Sequence, residues 1–173
     1  MKSLTARDLT QIALVAALYV ALTVTPPLNA ISYGAYQFRV SEMLNFMAFY
    51  NRKYIIAVTI GCMISNALNY GMIDVLVGGG STLVFVTLGV ILFDSYKQDY
   101  LLGGLFNKAF LYFSLFFSAT MFTVAAELTI IAKLPFFLTW FTTAMGELAS
   151  LLVGAVIMDK LAKRIDLTQI GRA

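Results

Sequence analysis

IALVAALYVALTV, residues 12–24, runs without a charge or a helix breaker until it meets Pro26-Pro27. No small-residue cleavage site follows it, and further apolar stretches come after. It therefore reads as a retained membrane helix rather than a signal peptide. A helix needs about 20 apolar residues to cross the hydrocarbon core, and several stretches of this chain reach that length. Of the 173 residues, 60% are hydrophobic and 12% are charged, with a mean hydropathy of +0.84. Soluble domains carry about a quarter charged residues. A chain this poor in charge cannot cover a water-facing surface, so an all-α integral membrane protein is expected.

Six helices are expected, within one domain over residues 1–173. Helix 1 covers 9–25 and ends at the proline pair, which cannot continue it. LNAISYGAYQF (28–38) is turn-rich and mixed in polarity. The remaining helices are expected at 39–50, 52–69, 74–93, 101–131 and 136–162, the fifth long enough to be tilted or bent. With the N-terminus in the cytoplasm, six crossings put Lys2, Arg7, Arg52, Lys53, Lys97, Lys108, Lys160, Lys163, Arg164 and Arg172 inside. Only Arg39 and Lys133 fall outside. Such a bias sets orientation and places both termini in the cytoplasm of a multi-pass plasma-membrane protein.

Asp8, Asp94, Asp99, Asp159 and Asp166 sit among the inner basic residues, where a solvated interface accounts for them. Glu42, Asp74, Glu127 and Glu147 come from four different helices and share the outer half with Arg39. An ionised group facing lipid costs about 2.5 kcal/mol or more at the helix centre, so such groups face an interior or a wet cavity. Each has a plainer reading. Glu147, in AMGELAS, could be a neutral acid bonded to a neighbouring helix, and Asp74, in YGMIDVL, could cap its helix. Glu127 could snorkel to the interface. Arg39 and Glu42, at i and i+3 in QFRVSEML (37–44), share a face and could neutralise one another. Asn66 and Asn69 suit interhelical hydrogen bonding or a ligand. Tyr33, Tyr36, Tyr70 and Trp140 suit the interfacial belt or stacking on a ring. Ala13, Ala17 and Ala21 form a smooth stripe on helix 1, which serves close packing. GGGSTLVF (78–85) has no lysine, so it is not a phosphate loop; its glycines suit close helix approach or a kink.

Several function classes drop out. Histidine is absent and the single cysteine, Cys62, lies in an apolar run. The commonest general base and the commonest transition-metal ligand are both missing. No nucleotide-binding motif is present, so the chain cannot itself use ATP. Nothing points to nucleic acid, because the basic residues are topological markers. Internal symmetry of the kind secondary transporters show is not visible. A small binding protein with an outward polar pocket remains.

QFRVSEML, the run NRKYIIAVTIGCMISN (51–66) with Asn66, the IDV opening helix 4 and the GE of helix 6 resemble the QueT family over nearly the whole chain. The resemblance implies an S-component, the substrate-binding subunit of an energy-coupling-factor (ECF) transporter associated with queuosine precursors. It implies a transmembrane coupling protein and two ABC-type ATPases as partners, with ATP used there and no cofactor in this chain. The alanine stripe matches the family's docking pattern, and the residues after Pro27 match a gating loop. For a deazaguanine, Glu147 or Glu127 would read the donor edge. Arg39, oriented by Glu42, or Asn66 would bind the acceptors, and Tyr36 or Trp140 would stack. Asn69 and Asp74 complete the expected set. A pyridoxine- or hydroxymethylpyrimidine-like ring would satisfy nearly the same groups, and a stand-alone secondary transporter is the other alternative.

Overall fold

A computed structural model describes residues 4–34 and 36–165. Lys2, Asp166 and Arg172 lie outside the described residues. The elements are α1 (Ala6–Val24), α2 (Pro26–Ser32), a 3-10 segment (Val40–Phe49), α3 (Lys53–Asn69) and α4 (Met72–Phe93). A short antiparallel hairpin, β1 (Tyr100–Leu101) with β2 (Phe106–Asn107), precedes α5 (Lys108–Ala119), α6 (Phe122–Ala132) and α7 (Phe136–Arg164). Four runs are long and apolar enough to cross a membrane: Ala6–Val24, Met72–Tyr96, Lys108–Ala132 and Phe136–Arg164. The chain is a helical membrane protein.

The 3-10 segment is the hub. It packs against α1, α3, α4 and α7, and Ser41, Glu42 and every residue from Leu44 to Phe49 are buried. Only ten residues are available for this segment. At about 2.0 Å rise per residue a 3-10 helix extends them over about 20 Å, against about 15 Å for an α-helix. Its lower half is clamped by aromatic rings. Phe46 lies 4.4 Å from Phe110, and Phe49 meets Phe113 edge-on at 5.5 Å.

α1 buries Ile12, Val15, Ala16, Tyr19 and Thr23, a helical stripe, and lays Tyr19 across Gly61 of α3. α4 approaches α3 just as closely, with Gly78 against Asn66 and Gly79 against Met63. That is the close approach the glycine run suggested, and α4 continues through it. α7 sets Gly154 against Met43 of the 3-10 segment.

The fifth expected helix differs in two ways. It begins at Lys108 rather than 101, because Leu102, Gly103 and Gly104 all take positive φ and turn the hairpin. Asn107 then caps α5, its side chain accepting from the Phe110 backbone N–H. The run also breaks between α5 and α6. Ser114, Ser118, Thr120 and Thr123 turn their hydroxyls back onto carbonyls three or four residues earlier, a habit that bends helices. The Ala119 carbonyl freed at the bend is taken by Trp140 Nε1 at 3.0 Å. In lipid each backbone polar group needs such a partner.

One end of the bundle gathers the ion pairs Asp8–Lys53, Asp94–Lys97, Asp99–Lys108 and Asp159–Lys163. The opposite end carries α2, the 33–39 loop and Lys133. Packing at Gly89 offers a test. A Cβ there would lie 2.5 and 2.7 Å from the Phe113 ring, whereas at Gly80 nothing lies within 4 Å. Gly89→Ala is expected to destabilise the fold by about 1–3 kcal/mol. Gly80→Ala should hold or raise the thermal midpoint, with both read by unfolding in detergent.

Candidate functional site

Glu42 sits on the third residue of the 3-10 segment, where i and i+3 side chains eclipse. That geometry stacks Asn45 on Glu42, and Asn45 Nδ2 donates to Glu42 Oε2 at 2.6 Å. From α1, the Tyr19 hydroxyl donates to Glu42 Oε1 at 2.5 Å. Both oxygens of this buried carboxylate are thus held by neutral donors. Arg39 does not supply either bond. Although Arg39 and Glu42 stand three residues apart, no carboxylate lies within ion-pair distance of Arg39 among the described residues. Its Nε donates to the Ser32 carbonyl at 3.4 Å, and its guanidinium lies 5.0 Å over the Tyr33 ring.

Arg39, Glu42 and Glu147 line one small hollow, together with Gln37, Ser81 and Thr82. It measures about 20 Å³, space for about one water molecule. Glu147 is buried, and its Oε1 has no hydrogen-bond partner among the described residues. A buried carboxyl oxygen without a donor is costly, so this atom is the strongest mark of a ligand contact in the site.

Residues 33–34 and 36–39, on either side of residue 35, roof the hollow. The Tyr36 carbonyl rests on Gly146, where any Cβ would overlap it, so the glycine beside Glu147 is what lets the backbone descend. The Tyr36 ring itself is 63% exposed and points away from the hollow's lining. Burial pushes the Tyr33 hydroxyl up to about 12. It remains a neutral donor to Asn66 Oδ1 at 3.4 Å.

The other expected residues fall around this centre. Asp74 and Glu127 lie near one another between α4 and α6 and do not line the hollow; Glu127 Oε1 has no hydrogen-bond partner among the described residues. Asp74 is not a helix cap, since Gly71 holds that place. Asn66 joins α3 to α4 by donating to the Asp74 carbonyl at 3.0 Å. Asn69 accepts from Asn29 of α2 at 2.8 Å and donates to the Ser65 carbonyl at 2.8 Å. Trp140 lies on the α5–α7 side among Phe122 and Phe136, outside the hollow. Ala13, Ala17 and Ala21 are exposed on α1. Sequence reasoning passed over Tyr19, Asn45 and Gln37. Only the i+3 spacing of Asn45 from Glu42 could have signalled one of them.

The family model described as "QueT transporter" matches residues 9–163. A curated relative, the "Queuosine precursor transporter QueT" of Lactococcus lactis subsp. cremoris (strain MG1363), is 63% identical over 169 residues. The match covers 98% of this chain and all of that one. No solved structure matches significantly.

The roof contact can be tested on the lone cysteine, which lines the hollow and is buried. Gly146→Ala should lift the Tyr36 backbone and expose the space below. A severalfold faster modification of Cys62 by a small methanethiosulfonate reagent is the expected outcome, with an unchanged rate arguing against the contact.

Proposed function

This chain belongs to the QueT transporter family, and on that premise we propose that it is the substrate-binding S-component of an energy-coupling-factor importer. It captures a queuosine precursor of the 7-deazaguanine type at the outer face of the plasma membrane. In this reading the chain is one six-helix domain. The four long runs are joined as crossings by α3, at 17 residues, and by the stretched 3-10 segment. Both termini then face the cytoplasm, on the side of the lysine-rich ion pairs. The chain itself needs no cofactor, and ATP is used by two partner ATPases acting through a transmembrane coupling protein.

The observation that carries this reading is the buried hollow where Arg39, Glu42 and Glu147 converge beneath the 33–39 loop. A deazaguanine offers adjacent N–H donors on one edge, and Glu147 has the oxygen left to accept them. Arg39 keeps donors to spare for the ring carbonyl. Glu42, already satisfied by Tyr19 and Asn45, supplies a fixed negative charge toward an aminomethyl cation. Asp74 and Glu127 lie outside the hollow's lining, so recognition there falls to Glu147. On α1, the exposure of Ala13, Ala17 and Ala21 supports docking to the coupling protein over packing inside the chain.

Calorimetry on the purified chain against a panel of deazaguanines, pyridoxine and hydroxymethylpyrimidine tests the substrate class. 7-Aminomethyl-7-deazaguanine should bind, and Glu147→Gln or Arg39→Ala should each weaken it about ten- to hundredfold, the loss of hydrogen bonds to a charged group. Binding of pyridoxine or hydroxymethylpyrimidine alone would move the assignment to that vitamin. For the partner, Ala17→Leu should abolish uptake in cells carrying the coupling subunits while leaving the calorimetric affinity intact. Loss of both would give the stripe a folding role instead.

A further inference from the structure

Two spaces meet at Gln37. Below it is the small charged hollow; above it, open to the outside of the bundle, is a cavity of about 350 Å³. Gln37 lines both. The residue as a whole is 8% exposed, and its carboxamide makes no hydrogen bond to the described residues. Its backbone is held at φ +46, a left-handed conformation that an L-residue adopts at a cost. The Gln37 N–H donates to the Gly34 carbonyl at 3.0 Å. An amide kept by a tight turn between two spaces, and not used by the chain itself, has its donors and its acceptor available to a ligand.

The outer cavity has a chemistry of its own. Tyr33 and Tyr70 meet edge-to-face at 5.0 Å on one side, and Leu138 forms part of the apolar wall. The Thr139 and Thr142 hydroxyls donate to the Pro135 and Leu138 carbonyls, so toward the cavity they present acceptor lone pairs. No ionised side chain lines it. Its size falls in the range of about 300–1,000 Å³ usual for small-molecule pockets, whereas the hollow below is more than tenfold smaller while the loop is down.

From this arrangement we infer that the outer cavity is a separate binding station for a planar N–H-donating heterocycle, and that Gln37 reads the ring there and again in the hollow. The inference rests on the transport reading above. Substrate is first sorted by flat shape and hydrogen-bond donors in a space without charges. It then passes Gln37 to the charged groups, where the loop must yield. Gln37 is therefore a specificity-determining residue for both stations.

Surface plasmon resonance on the full chain held in lipid nanodiscs, with 7-aminomethyl-7-deazaguanine as probe, tests this. The observed association rate of the unaltered protein should level off as probe concentration rises, because capture outside precedes a slower transfer. Leu138→Trp and Thr142→Trp, which fill the outer cavity, should lower the association and dissociation rate constants together, each by about tenfold. Gln37→Gly removes the carboxamide at a position whose positive φ suits glycine, and should raise Kd by up to about tenfold. A strictly linear concentration dependence overturns the station, and so do unchanged rate constants in both tryptophan variants. The levelling-off is read on the unaltered chain, so misfolding of a variant cannot imitate it. If the unaltered chain binds no member of the heterocycle panel, the transport reading fails and the station falls with it. Probe binding with a linear dependence overturns the station alone.

Discussion

A carboxylate buried in a membrane bundle is costly unless its oxygens are hydrogen-bonded. Glu42 meets that condition through Tyr19 on α1 and Asn45 on its own segment. Much of the architecture follows from those two bonds. Tyr19 reaches Glu42 only because Gly61 lets it lie flat against α3. Asn45 reaches it because the segment winds as a 3-10 helix, which eclipses residues three apart. The stretched winding and the satisfied carboxylate are therefore one device. Neutral donors fill the bonds of Glu42 and leave the Arg39 guanidinium largely uncommitted. A direct Arg39–Glu42 ion pair would have consumed the charge that a polar ligand needs.

The four outer acids divide into two kinds of environment. Glu42 and Glu147 share the hollow with Arg39, while Asp74 and Glu127 face one another between α4 and α6. Glu127 and Glu147 each keep one buried oxygen with no donor among the described residues. Of these two only Glu147 lines the hollow beside Arg39, so its place, and not its unmet bond alone, sets it apart.

That distinction marks how far the sequence could be read. Hydropathy and the proline pair located α1, and the outer-half placement of acids from separate helices beside Arg39 put Arg39, Glu42 and Glu147 among the candidates. The lysine and arginine asymmetry foreshadowed the end of the bundle where the ion pairs gather. Other features leave no such trace. Ten residues of mostly apolar sequence cannot tell a 3-10 winding from an α-helix. Tyr19 sits inside an apolar run and reads as packing. The bend between α5 and α6 comes from hydroxyls whose back-bonding is a rotamer choice, invisible in FSLFFSATMFT. Gln37 is the hardest case, because positive φ is signalled by glycine or asparagine, and glutamine gives no warning.

The roof over the hollow shows why a site of this kind belongs on a loop rather than on a helix. Closing charged groups away from water is unfavourable unless the cover brings partners. The 33–39 loop brings few: its backbone rests on Gly146, its Tyr33 ring lies against Arg39, and the Gln37 amide remains unmatched. The closed form therefore retains a polar atom with no bond among the described residues, Glu147 Oε1. A ligand with matching donors and acceptors gains that bond, and the same ligand must displace the loop, because about 20 Å³ does not admit a ring. On the proposed reading, binding and loop movement would be coupled by that mismatch of volume, and affinity for the ring would be reduced by the cost of opening. Selectivity comes from the bonds that only the right edge pattern can complete.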